Sequence, residues 1–365
     1  MSAPHFHELK VKRVNPEAAG AVAITFELPP ALREAFAFEP GQFLTLRAQI
    51  QGQDVRRNYS ISSPRSRFLR QGEIEVGIRP VEHGLFSNWA ATQVRAGDTL
   101  KVMPPDGRFV VRRPRALHRV GFAGGSGITP ILSIAASTLE EQPESKFTLV
   151  YGNRNMATIM FNEALQDLKD RHPDRFTMIH ILSHQAQEVD LLQGLVNGDK
   201  VRALIDAFLP VPSMDEVFIC GPEPMMNATE QALIEAGVPA HRVYTERFGT
   251  GAPAGTAAAP SAEAPKAAPA SHRTIRLTVV LDGKEHQMAM APNEHVLDVA
   301  LDAGLDLPFS CKAGVCCTCR AKVLCGEVAM DKNYTLEADE MAQGFVLSCQ
   351  ARATSPTLTV SFDER

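Results

Sequence analysis

Residues 311–319 read Cys311-Lys-Ala-Gly-Val-Cys316-Cys-Thr-Cys319, and a further cysteine follows in Leu347-Ser-Cys349-Gln350. This is the C-x4-C-x2-C…C spacing of a plant-type [2Fe–2S] centre. A binuclear cluster needs thiolates converging on two irons. A tight loop supplies Cys311, Cys316 and Cys319, and Cys349 arrives from a distant segment that folds back.

The chain has seven cysteines. An odd count with cluster spacing reads as metal ligation in a reducing compartment, not as a disulfide framework. Cys317 and Cys325 are expected to be small, partly buried filler. A length of 365 residues suggests about two to three domains. A net charge of −5 argues against non-specific nucleic-acid binding. No apolar run approaches the ~20 residues that span a bilayer. The opening MSAPHFHELKVKRV lacks an apolar signal core. A cytoplasmic protein without membrane or nucleic-acid partners is expected.

Upstream of the cysteines, residues 250–272 are rich in Ala and Pro and lack large apolar side chains. They cannot bury enough surface to offset ordering entropy, so they read as a tether. Residues 1–112 alternate apolar and polar positions in Ala23–Leu28, Phe43–Leu46 and Ile74–Ile78, with turn signals at Pro40-Gly41 and Pro105-Asp106-Gly107. That pattern predicts an antiparallel β-barrel. Residues 113–249 alternate apolar runs (Val120–Ala123, Phe147–Tyr151, Phe176–Leu182, Val217–Cys220) with helical patterns (Ile159–Leu168, Ala228–Glu235). This predicts an α/β domain with a parallel sheet. In residues 273–365 a hairpin is expected around Asp282-Gly283 and a helix over Val296–Ala303, ahead of the cysteine loop. This module carries nine Lys or Arg against thirteen Asp or Glu, a balance of −4. Such charge can steer it to a basic docking patch, or simply solubilise it.

The run Val120-Gly-Phe-Ala-Gly124-Gly125-Ser126-Gly127-Ile-Thr129-Pro130 is a strand, a glycine turn and a helix start. Glycines let backbone approach a diphosphate, and a helix N-terminus offers it free N–H groups. Pro130 suits the first helical position. Arg57-Asn58-Tyr59-Ser60 places a planar guanidinium for phosphate, an aromatic face for a ring and a hydroxyl for a ring nitrogen. Gly84-Leu-Phe-Ser87 offers a second diphosphate contact. Cys220-Gly221-Pro222 ends a predicted strand, where ligands of such sheets gather. Cys220 is expected to face a nicotinamide; the competing reading is a buried core thiol.

Together, Arg57-x-Tyr59-Ser60, Gly84-x-x-Ser87, Gly124–Pro130, Cys220–Pro222 and Glu246-Arg-Phe248 resemble the ferredoxin–NADP⁺ reductase superfamily. The tail separately resembles plant-type ferredoxins, which implies an α+β β-grasp fold. The resemblance implies that Arg57, Tyr59, Ser60 and Ser87 hold FAD, with Asn58 and Gly84 beside them. It implies that Gly124, Gly125, Ser126, Gly127, Thr129, Gly221 and Pro222 hold the pyridine nucleotide. Gly84-x-x-Ser87 resembles the FAD-type segment, so FAD is expected over FMN. Family members often set an aromatic or C-terminal residue near the stacked rings, and the resemblance implies that Phe248 can play that part. Tyr59, Ser60 and Cys220 are the candidate catalytic residues, and Cys311, Cys316, Cys319 and Cys349 the metal ligands.

Reductase first and ferredoxin last looks like the reductase component of a bacterial multicomponent oxygenase. Tyr151-Gly-Asn-Arg154, Ile159-Met-Phe161, Asn333-Tyr-x-Leu-Glu337-x-Asp-Glu340 and Gly344–Gln350 carry that likeness. Electrons are expected to run from NADPH to FAD, to [2Fe–2S] and to a partner oxygenase. Arg154 follows a sheet strand where a cation suits the extra phosphate of NADPH. Ser183-His184-Gln185 departs from the arginine the family often places there, which leaves NADH open. The oxygenase served is expected to be a ring epoxidase, with a Rieske dioxygenase or another monooxygenase as the alternative. A redox-sensing or scaffold protein without turnover is the reading from another class.

Overall fold

A computed structural model describes residues 5–111, 117–248 and 274–364. The chain divides into two compact units, one of them Phe6–Arg247 and the other taking in the chain from Phe248 onward. The expected tether, residues 250–272, lies outside the described residues.

In the first unit, β1 (His7–Pro16), β2 (Val22–Glu27), β3 (Phe43–Ile50), β4 (Gln53–Ser60), β5 (Glu73–Ile78) and β6 (Thr99–Val102) form an antiparallel sheet in the order β4-β3-β6-β1-β2-β5. Its outer strands approach through one bridge, Ile61 to Val76. That contact curls the sheet into the expected barrel. Leu9, Val11, Ile24, Phe26, Leu44, Leu46, Ile74 and Val76 fill the interior. Two helices, α1 (Arg65–Gln71) and α2 (Leu85–Gln93), sit on its connections.

The unit continues as β7 (His118–Gly124), α3 (Ile128–Glu141), β8 (Lys146–Asn153), α4 (Asn162–Arg171), β9 (Phe176–Leu182), α5 (Gly198–Phe208), β10 (Glu216–Cys220), α6 (Glu223–Glu235) and β11 (Val243–Glu246). All strand pairs are parallel, in the order β11-β10-β7-β8-β9. The chain steps from β7 outward to β9, then returns to place β10 on the other side of β7. The β7/β10 junction is therefore the switch point of the sheet.

α3 is buried from Ile128 through Leu139 because two layers claim it. Ile131, Ile134 and Ala135 share one core with Phe147 and Phe218 of the parallel sheet and with Ala21, Ala23 and Phe109 of the barrel region. Ser133 donates to the Ser63 carbonyl at 2.7 Å, and Ser137 accepts the Arg65 N–H at 3.0 Å. At the starts of β7 and β10, the register partners Arg119 and Glu216 form a fully buried ion pair of 2.7 Å, and Gln142 takes a second guanidinium nitrogen at 2.8 Å.

Two local expectations are corrected. The helix expected from Ile159 begins at Asn162, because Phe161 takes a left-handed φ of 57° and Glu17 accepts its N–H at 2.7 Å. Pro130 sits third in α3, not first; its missing N–H still falls within the first turn, where no intrahelical partner exists.

The second unit holds β12 (Ile275–Leu281), β13 (Lys284–Met290), α7 (Val296–Asp302), β14 (Arg320–Cys325), β15 (Val328–Met330), α8 (Ala338–Ala342), β16 (Phe345–Leu347), β17 (Ala351–Ala353) and β18 (Thr357–Ser361). Its main sheet runs β13-β12-β18-β14-β16, with β12 and β18 parallel, and β15 pairs with β17. Val296, Leu297 and Ala300 of α7 pack on Leu277, Val279 and Val360, the grasp of helix by sheet that the resemblance to plant-type ferredoxins implied. The hairpin turns at Asp282-Gly283, both at positive φ. Cys325 is exposed, contrary to expectation, because it lies past a register shift at the end of β14.

Candidate functional site

At the switch point two strand ends meet backbone to backbone. A Cβ on Gly221 would stand 3.0 Å from the Gly124 Cα, and one on Gly124 would stand 2.6 Å from the Pro222 ring. A Cβ on Gly127 would fall on the Cys220 carbonyl. Only glycine lets β7 and β10 close this far. Gly125 turns the chain with a φ of +52°, and the Tyr151 hydroxyl donates to its carbonyl at 2.9 Å. Thr129 donates to the Ser126 carbonyl at 3.0 Å. α3 then starts at the crevice, where the positive end of its dipole suits a diphosphate.

Arg79, just past β5, also faces this loop; its guanidinium would be 2.9 Å from a Cβ on Gly125. The sequence reading missed it. The available signal was a cation between a buried strand and Pro80.

Cys220 and Glu246 are register partners on adjacent parallel strands. The Cys220 side chain is fully buried. Burial pushes its thiol well above the ordinary range, and the Glu246 charge adds to this. Burial likewise pushes the half-buried Glu246 carboxyl up to about 8. The pair is thus protonated near neutral pH, and Cys220 is held as a thiol.

The barrel presents its candidate residues at the end of β4. Tyr59 leans on Phe86 at 5.6 Å between centroids, and Phe86 meets Trp89 edge-on at 5.4 Å. Burial raises the Tyr59 phenol while Arg57 pulls it the other way, so it stays a neutral ring. Asn58 accepts the Thr45 hydroxyl at 2.8 Å. Ser60 is buried; Arg57 is exposed and donates to the Arg56 carbonyl at 2.7 Å. The Ser87 hydroxyl accepts the Val81 N–H at 3.2 Å and donates to the Gly84 carbonyl at 3.4 Å, so it shapes its own loop. A Cβ on Gly84 would stand 2.4 Å from that hydroxyl, so a side chain there would turn Ser87 out of its present contacts. An exposed guanidinium beside a braced tyrosine can take a phosphate and a planar ring together.

Arg154 is exposed on the loop after β8. Ser183 and His184 donate their N–H groups to the Asn153 and Arg154 carbonyls at 3.0 and 2.7 Å. The two loops are thereby stitched, which brings the backbones of Arg154 and His184 together. Phe248 lies just past β11 and is 38% exposed.

In the second unit the cysteine loop needs three left-handed residues, Lys312, Gly314 and Cys317, with φ of 51°, 78° and 58°. These turns bring the thiols into contact two by two. Cys311 hydrogen-bonds Cys316, and Cys319 hydrogen-bonds Cys349. The Cys316 contact, with backbone donors assisting, holds the Cys311 thiol down to about 6 against its burial. Its partner Cys316 is pushed up, first by Cys311 and then by burial. Cys349 is lowered by its contact with Cys319, which is raised in turn. Among the described residues no three His, Cys, Asp or Glu side chains converge on a single-metal site. Pairs suit two irons, each taking two thiolates, so this donor set fits a binuclear cluster.

Two oxidoreductase modules and an iron–sulfur module thus follow one another in a single chain. Three family models match it: an oxidoreductase FAD-binding domain at residues 9–111, an oxidoreductase NAD-binding domain at 122–231 and a 2Fe-2S iron-sulfur cluster binding domain at 279–354. The chain belongs to the family of three-module oxidoreductases that comprises the reductase components of oxygenase systems.

Among its relatives is a component of the 1,2-phenylacetyl-CoA epoxidase of Escherichia coli (strain K12), 43% identical over 99% of this chain and 98% of that protein. The ferredoxin reductase component of 3-ketosteroid-9-alpha-monooxygenase of Rhodococcus rhodochrous is 35% identical over 97% of this chain and 96% of that one. The solved structure of phthalate dioxygenase reductase shares the fold with a TM-score of 0.59 at 22% identity, covering 98% of each chain. No helix among the described residues is long and apolar enough to cross a membrane.

Proposed function

We propose that this chain is the NADPH-dependent reductase of a phenylacetyl-CoA ring epoxidase, acting in phenylacetate degradation. The observation that carries the partner assignment is identity of 43% along the whole length of a phenylacetyl-CoA epoxidase component. When bound, FAD and the [2Fe–2S] cluster supply the conversion of one hydride into single electrons, while the protein supplies orientation and electrostatics.

Arg57 holds the flavin diphosphate, helped by the Gly84–Ser87 turn. Tyr59 would cover the flavin ring system, and Ser60 and Asn58 would help hold it. The crevice of Gly124, Gly125, Ser126, Gly127, Thr129, Gly221 and Pro222 takes the nucleotide. Cys220, a thiol locked by burial, shapes the wall beside the nicotinamide without ionising. Arg154, exposed on the loop after β8, takes the extra phosphate of NADPH. Cys311, Cys316, Cys319 and Cys349 would supply the four thiolates of the cluster. Residues 1–112, 113–249 and 273–365 are the flavin, nucleotide and ferredoxin domains, joined by the 250–272 linker.

The test is turnover: anaerobically reconstituted protein, NADPH and the remaining components of the epoxidase should consume phenylacetyl-CoA. Full NADPH-dependent cytochrome c reduction without any support of epoxidation would refute the partner. The 3-ketosteroid relative makes another monooxygenase the second reading, which stimulated turnover of such an oxygenase would establish. Flavin reduction without sustained turnover would instead favour a sensor.

A further inference from the structure

Cys349 reaches the other three cysteines from a separate segment, and its two neighbours grip the ligand loop at opposite ends. Ser348, fully buried, gives both its N–H and its hydroxyl to the Cys319 carbonyl, at 3.1 and 2.8 Å. Gln350, 7% exposed, sends its side-chain amide the other way. That nitrogen donates to the Lys312 carbonyl at 3.1 Å and the Cys349 carbonyl at 3.0 Å, and lies 3.6 Å from the Cys349 sulfur. The Gln350 backbone is itself anchored: its N–H goes to Leu347 and its carbonyl accepts from Asp331.

A buried amide serving three acceptors has consequences beyond shape. Its two hydrogens tie the loop to the fourth ligand, and one is within reach of a thiolate sulfur. A donor at sulfur draws charge from the ligand and favours the state with the extra electron, which raises the reduction potential.

We propose that Gln350 is a positioning residue that raises the reduction potential of the cluster through its amide, while fixing Cys349 against the Lys312 end of the loop. This rests on the reading that Cys311, Cys316, Cys319 and Cys349 hold a [2Fe–2S] cluster. An arm that met only backbone would hold the loop and leave the potential alone. The approach to sulfur couples the loop's position to the energy of the arriving electron.

The test is an EPR-monitored redox titration of the anaerobically reconstituted full chain. Gln350→Glu keeps the shape but exchanges donor for acceptor; Gln350→Met keeps the length without a donor. Both should lower the reduction equilibrium at least tenfold, equivalent to about 59 mV for one electron, with Glu lower than Met. Gln350→Asn retains an amide on a shorter arm and should fall between Met and the parent protein. If Glu or Met loses its iron, the Asn variant carries the measurement. Unchanged potentials in the iron-bearing variants overturn the proposal while leaving the cluster itself established by the parent spectrum. A parent protein that binds no iron overturns both.

Discussion

Gly127 and Cys220 stand so close that the carbonyl oxygen of one occupies the place of a side chain on the other. The crevice between β7 and β10 therefore exists only while residue 127 is glycine. Gly127→Ala should force the strand ends apart, lose about 1–3 kcal/mol of stability as overpacked sites do, and raise the KM for the reduced nucleotide. Thermal melts with stopped-flow flavin reduction will show both. An unaltered KM would remove the crevice from nucleotide binding.

Cys319→Ser removes one member of a contacting thiol pair. Cytochrome c reduction should disappear, whereas ferricyanide reduction by the flavin should survive. Retention of both activities would mean that electrons leave by another route.

Arg154→Gln should raise the KM for NADPH and spare NADH. A charge-assisted hydrogen bond is worth about 1.5–3 kcal/mol, so the expected rise is roughly 10- to 100-fold. Steady-state kinetics with each nucleotide decide it, and equal effects on both would strip Arg154 of its assigned phosphate.

Glu246 makes stability depend on pH. Its carboxyl is raised from 4.5 to about 8 by burial. Below pH 4.5 the group is protonated folded or unfolded, and its contribution is complete. Between 4.5 and about 8 the unfolded chain sheds the proton that the folded chain keeps, so stability falls as pH rises. Glu246→Gln should flatten that slope and gain most near pH 8. Urea unfolding at about pH 5 and about pH 8 measures it; parallel slopes in both proteins would place the Glu246 carboxyl in water.

The clustered cysteines, the glycine loop and the barrel strands over Phe43–Leu46 and Ile74–Ile78 were legible in the sequence because each is a local pattern of residue types. β9 and the Asp282-Gly283 hairpin were legible for the same reason. Features set by register were not. Glu246 meets Cys220 only because β11 pairs with β10, a choice made by topology rather than by either segment. Arg79 reaches Gly125 from a different sheet. The start of α4 is decided by Glu17, 144 positions upstream of Phe161. Gln350 appeared as one letter after a cysteine, and its reach to Lys312 depends on how two segments cross.

The core in which Phe109 meets Phe218 edge-on at 5.5 Å, with Ala21 and Ala23 alongside α3, has a practical corollary for anyone rebuilding this molecule. The front two modules are wedded through shared grease. Splitting them for separate expression would leave each half with a raw apolar wound, so swaps of nucleotide preference should be made by side-chain exchange within Phe6–Arg247, never by grafting a foreign half.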